Sequence, residues 1–155
     1  MGFTIQATGM MTLTFDYICK LELPLYLEMG KRYHINLNNY HNWHFQVRAK
    51  IKQRYQKLLS HQMPKQKLER VEMVFVMHRP DKRKVDRSNV LCLHEKFASD
   101  ALVQAGVLED DNDNFIASSH YYTGEIDKHN PRVDLFIRRV HEHQNCKVSS
   151  THLCG

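Results

Sequence analysis

Cysteine is scarce in this sequence, and no two of its four cysteines form a Cys-x-x-Cys pair; Cys19, Cys92, Cys146 and Cys154 stand far apart or at unmatched spacings. A disulfide scaffold and the common zinc modules are therefore not expected. No run approaches the ~18 consecutive apolar residues of a membrane span, and the opening thirty residues carry no uninterrupted apolar stretch of the secretory kind. Neither end carries a lipidation signal. A cytoplasmic protein with reduced thiols and no membrane partner is the expectation. Glycine (6) and proline (4) are also few, which excludes low-complexity linkers and leaves each to punctuate a specific turn.

What is present is a globular composition, 42% hydrophobic and 25% charged, in a chain of 155 residues. That length suits one hydrophobic core, read here as one domain over 1–140, with 1–10 a possible extension and 141–155 a polar, flexible tail without periodicity. Lys and Arg outnumber Asp and Glu by 22 to 17, and eleven His add charge where a polyanion favours protonation. An anionic partner is expected.

Alternating branched and aromatic residues predict strands over Thr12 to Ile18 and Lys20 to Leu27. The Asn-rich stretch from Asn36 to Trp43 supplies caps for a long helix over Trp43 to His61, stopped by Pro64, with Val47, Ile51, Tyr55, Leu58 and Leu59 as its buried stripe. Leu68 to His78 is nearly all apolar, as in a central strand buried on both faces. A basic loop follows, holding Arg79, Lys82, Arg83, Lys84 and Arg87. A second helix is predicted from an N-cap at Ser88 to about Ala105, closed by Gly106. Strands over Phe115 to Tyr122 and Arg132 to Val140 complete an α+β fold, a mixed β-sheet packed with two main α-helices.

Acids bracket the second helix: Asp86 stands just before it, and Asp110 with Asp111 just after it. Phosphodiester hydrolysis near neutral pH calls for a divalent cation to activate water and offset transition-state charge, and hard cations such as Mg²⁺ take clustered carboxylates. Carboxylates beside a basic loop suit that chemistry. Acids near a helix start and in acid-rich turns also have ordinary structural roles.

The segment Arg79-Pro80-Asp81-Lys82-Arg83-Lys84-Val85-Asp86-Arg87-Ser88-Asn89, followed by Lys96 to Asp111 with its Asp100-Ala101-Leu102, Gly106 and Asp110-Asp111, resembles the RusA-type Holliday-junction resolvases. The resemblance is specific over about Arg79 to Phe115; Asn38-Asn39 adds a fainter likeness. It implies a homodimer that binds four-way or otherwise branched DNA and nicks it in pairs with Mg²⁺, for which Mn²⁺ can substitute. It implies Asp86, Asp110 and Asp111 as metal ligands and Lys96 as the catalytic lysine beside Asp86 and Asp111. It also implies Asn89 as the helix-start Asn. The DNA surface is expected to take in Lys82, Arg83, Lys84, Arg87 and Asn89, with Arg48 and Lys52 on the first helix.

Ser88 stands where that family has a second Asp, and the interval from Asp86 to Lys96 is longer than the family's by close to one helical turn. Glu95 follows Ser88 by seven positions, two turns along nearly the same face, and is the candidate to replace the missing acid as a metal ligand and catalytic carboxylate. The alternative is a junction- or DNA-binding protein that does not cut. A PD-(D/E)xK nuclease would need an acid two positions before Lys96, where His94 stands. A zinc site in the tail would draw on His141, His143, Cys146, His152 and Cys154, whose spacing matches no common finger.

Overall fold

Valine, methionine and phenylalanine in unbroken succession can be satisfied only where a strand is covered on both faces, and Val71–His78 (β6) occupies that place. In the computed structural model, which describes residues 2–7 and 11–140, Val71, Met73, Val74, Phe75, Val76 and Met77 are at most 1% exposed. The other elements, in chain order, are β1 (Gly2–Ala7), β2 (Met11–Asp16), β3 (Cys19–Pro24), β4 (Tyr26–Glu28), β5 (Arg32–His34), α1 (Leu37–Asn42) and α2 (Phe45–Ser60). After β6 come α3 (Arg87–Gln104), β7 (Ile116–Thr123) and β8 (Arg132–Arg139).

The main sheet runs β3-β8-β6-β7. β8 lies antiparallel to both β3 and β6, whereas β6 and β7 are parallel. Parallel neighbours need a crossover, and α3 supplies it. The chain is thus an α+β protein with a mixed sheet, and both long helices share one face of it.

Alternation along β6 divides the core. Met73, Phe75 and Met77 join Leu21, Leu23, Ile51, Tyr55, Phe97 and Leu102 on the helix side, while Val74 and Val76 meet Phe136 on the other. That second face is largely ionic. Asp134 is 1% exposed there, with Arg132 Nε at 2.9 Å, His78 Nε2 at 3.1 Å and Lys20 Nζ at 3.5 Å. Burial pushes its carboxyl pKa up, but these three neighbours outweigh burial and hold it below the ordinary carboxylate value.

Several boundaries differ from the sequence expectations, each for a local reason. The strand expected over Thr12 to Ile18 ends at Asp16 and pairs with β1, so the opening segment forms the first arm of a hairpin. The run Lys20 to Leu27 divides into β3 and β4. Instead of merely capping a long helix, the Asn-rich stretch forms a helix of its own, α1, because the Asn36 side chain accepts from Asn39 N at 2.8 Å and starts it there. Extended backbone at Trp43 ends α1, and His44 caps α2, so the fold has three helices where two were expected. At the second crossover end Asp86, not Ser88, is the N-cap: its carboxylate accepts from Asn89 N at 3.2 Å and α3 begins at Arg87. Gly106 closes α3 at φ +73°, a left-handed conformation suited to glycine, and lets Val107 N reach Leu102 O at 2.9 Å. The proposed tail ligands of zinc lie outside the described residues.

α2 and α3 are joined in the core by a polar contact, Tyr55 Oη to His94 Nδ1 at 2.8 Å, with both side chains fully buried. Burial, with His34 adding a smaller push, lowers the His94 pKa from its usual 6.5 to about 3. The folded state therefore keeps His94 neutral while the unfolded chain takes up a proton below pH 6.5. Its contribution to stability is complete above pH 6.5 and is lost progressively as pH falls toward 3. Urea midpoints measured from pH 7 down to about pH 4 are expected to fall, and to fall less steeply in His94→Leu; parallel curves would assign the acid sensitivity to other groups.

Candidate functional site

The crossover helix carries most of the residues singled out by sequence, and its direction decides which of them can meet. At its start, Arg79 Nη1 donates to Arg83 O at 2.6 Å and Asp81 Oδ1 accepts from Arg83 N at 2.9 Å, which folds the basic loop back on itself. Lys82, Arg83, Lys84, Asp86 and Arg87 are left exposed. Asn89 faces inward instead: its Oδ1 accepts from Asn38 N at 3.0 Å and fastens α1 to the first turn of α3. The Asn38 and Asn89 motifs, 51 residues apart, are thus one contact.

Midway along α3, Lys96 is exposed, with its Nζ 6.0 Å from the centre of the Tyr40 ring. The Arg48 guanidinium lies 4.9 Å from the same ring and donates to Trp43 O at 2.8 Å and His41 O at 2.7 Å. Arg48 therefore braces the corner between α1 and α2, and its charge is partly engaged there. Glu95 points toward β7, where Ser119 Oγ donates to Oε1 at 2.7 Å and the Tyr121 hydroxyl donates to Oε2. Burial first, and then the bond to Glu95, drives the Tyr121 pKa well above the phenol range, so the hydroxyl remains a donor. Burial likewise raises the Cys92 thiol pKa.

Past the far end of α3, Asp110 Oδ1 accepts from Asp111 N at 2.7 Å and its Oδ2 from Asn112 Nδ2 at 2.7 Å. Asp111 shares a surface depression with Lys52, Gln56 and Asp100. Lys52 is already paired there, its Nζ 2.5 Å from Asp100 Oδ2.

The predicted residues fall into three groups along one helix. Asp86 and the basic loop sit at its start, Glu95 and Lys96 at its middle, and Asp110 and Asp111 past its end. With 18 residues α3 is ~27 Å long, far beyond the span of carboxylates on one ion. Among the described residues no three His, Cys, Asp or Glu side chains gather as a metal site. Asp86, Glu95, Asp110 and Asp111 of a single chain therefore do not fit together as ligands of one Mg²⁺.

The sequence also holds a long span without acids. Between Glu28 and Glu69 there is no acidic residue, yet Lys31, Arg32, Arg48, Lys50, Lys52, Arg54, Lys57, Lys65 and Lys67 fall within that span. It covers β5, α1 and α2, and carries more than the whole net charge of +5, the rest of the chain being net acidic. Counting acids rather than bases reveals it. Ser119 and Tyr121 carried no signal, because only the parallel pairing of β7 brings them under α3.

No protein-family model matches the chain, and no curated protein matches it at a significant level.

Two cationic surfaces can meet a polyanion, the loop at Lys82–Lys84 and the outer side of α2, and salt dependence separates them. If the loop contacts DNA phosphates, changing Lys82, Arg83 and Lys84 together to Ala should flatten the slope of log K against log salt by about 3, since each phosphate contact contributes ~0.9. An unchanged slope would assign the phosphates to Lys50, Arg54 and Lys57 on α2.

Proposed function

We propose that this chain is a Mg²⁺-dependent endonuclease of branched DNA, four-way junctions foremost, similar in pattern to the RusA-type resolvases and active as a homodimer. The observation that carries the reading is the layout of α3. An acid caps its start next to an exposed basic loop, an exposed lysine stands at its middle, and an acid pair follows its end. The acid-free span from Met29 to Leu68 supports a polyanionic partner.

Helix length adds a condition. Asp86 and Asp111 of one chain are held apart, so in this reading they work together only if a second copy lies with its α3 running the opposite way. Two-fold symmetry then forms two equal sites, each joining Asp86 of one copy to Asp111 of the other. Lys96 would set its ammonium against phosphate charge, and Asn89 would hold α1 in place beside that site. Glu95 is fixed by two hydroxyl donors from β7 and lies more than two turns along α3 from Asp86, so in this arrangement it acts as a tether beside Lys96 and the metal falls to Asp86 and Asp111.

The same helix length favours a second reading, a junction-binding protein that does not cut, because no metal-ligand group of three forms among the described residues of one chain. A mixing experiment decides. Asp86→Asn and Asp111→Asn are each expected to be inactive on a labelled four-way junction with Mg²⁺. Their mixed dimer contains one site with both native acids, so mixing should restore single nicks but not paired ones. Two inactive variants that stay inactive after verified subunit exchange would place both acids in one chain's site. A native protein that binds the junction and leaves it intact with Mg²⁺ or Mn²⁺ would establish the binding-only reading.

A further inference from the structure

Phe45 is 69% exposed, the most exposed large apolar side chain among the described residues. It opens α2, and its ring lies against His44, with centroids 4.4 Å apart and planes inclined by 39°. The corner that carries it is rigid. Trp43 N donates to Asn39 O at 3.0 Å, the Trp43 ring meets Tyr33 edge-on at 5.6 Å, and both Arg48 bonds end on backbone carbonyls of the same corner. An aromatic face is thus held out in solvent by a preorganised frame.

Its surroundings indicate what would cover it. A protein interface needs a contiguous apolar patch, but the other exposed large apolar residues, Val85 and Ile126, lie in different loops, and Phe45 is flanked by His41, His44 and Gln46. No acid occurs from Met29 to Leu68, so neither α2, which Phe45 opens, nor α1 before it carries a negative side chain. Arg48 follows Phe45 by one turn of α2, on nearly the same face, and Arg48 and Lys96 both lie against the half-buried Tyr40 ring, so two cations flank the way from Phe45 to the middle of α3. Alternating cations and exposed rings are how proteins hold single-stranded nucleic acid, the cations following phosphates and the rings stacking bases.

We propose that the His44–Phe45 pair is a stacking platform for one unpaired nucleobase, whose strand continues across Arg48 toward Lys96. This rests on the DNA-binding part of the proposed function and is independent of cleavage. Such a platform would favour DNA with unpaired bases at a branch over a continuous duplex, because a base inside the duplex stack offers no free face.

The test is equilibrium binding without divalent metal, at one salt concentration, to a dye-labelled forked DNA with unpaired arms and to a fully paired duplex of the same length. Phe45→Ala should weaken fork binding about 5- to 100-fold, the range expected for one stacked base, and change duplex binding by less than about 2-fold. Phe45→Trp should restore fork binding, and because Phe45 is exposed all three proteins should melt at similar temperatures. Equal loss on both DNAs, or loss on neither, would overturn the platform. So would a Phe45→Ala protein whose only change, by light scattering, is in self-association. A native protein that binds the fork here but leaves fork and four-way junction intact once Mg²⁺ or Mn²⁺ is added would remove the nuclease reading while leaving the platform, whereas one that binds neither DNA would remove both.

Discussion

The parallel pairing of β6 with β7 is the constraint from which the rest of this molecule follows. Parallel strands oblige the chain to return the full length of the sheet between them, and the return is made by α3. A motif contiguous in sequence is thereby stretched into a rod with acids at its two ends. The crossover also buries one side of that rod, through Val90, Leu91, Phe97 and Leu102, against Met73, Phe75 and Met77. Only the other side remains for chemistry, and there Lys96 and the edge of Glu95 are found.

A second consequence is the separation of charge. The helix layer places α2 beside α3, joined by the Tyr55 to His94 bond and by Ile51 and Leu59 in the core. With that seam apolar, the lysines and arginines of α2 are pushed outward. Meanwhile the acids of the β7 and β8 side are spent locally: Glu72 on Arg138, and Asp134 on Arg132, Lys20 and His78. Lys50, Arg54 and Lys57 are left exposed on α2, the helix that Phe45 opens. The polarity of the whole is a product of where the acids are neutralised, not only of how many bases there are.

Much of the fold was legible because burial on two faces leaves a strong mark in sequence. The run from Val71 to Met77 can be little else than a central strand, and Gly106 after a periodic stretch can be little else than a helix end. Short-range competition was harder to read. Asn36, Asn38, Asn39 and His44 all offer cap chemistry, and the choice of Asn36 and His44, with a break at Trp43, depends on ring contacts among Tyr33, Tyr40 and Trp43 made across the fold. The cap expected at Ser88 falls instead to Asp86, whose carboxylate accepts from Asn89 N and starts the helix two residues earlier. That 86 and 111 lie at opposite ends of one helix was legible as well; what the resemblance alone does not carry is the consequence, that an 18-residue helix keeps the two from sharing an ion within one chain.

Glu95 shows most clearly how a strand edge and a site can depend on the same side chain. β7 is the outermost strand, with no charged residue in Ile116–Thr123 to guard its free edge. Ser119 and Tyr121, both on its helix-facing side, give their hydroxyl protons to the two oxygens of Glu95, so the carboxylate ties the edge strand to the middle of the crossover. Each bond is charge-assisted, and the pair fixes the carboxylate in one rotamer. A fixed carboxylate next to an exposed lysine would suit the phosphate chemistry proposed above, yet the fixing is accomplished by a strand that must itself be held. Removing the charge would then loosen β7 and change the site together. Double substitution at Glu95 and Tyr121 is therefore the informative comparison: a tether makes the two losses of stability overlap, while any loss of function beyond that overlap belongs to the carboxylate alone.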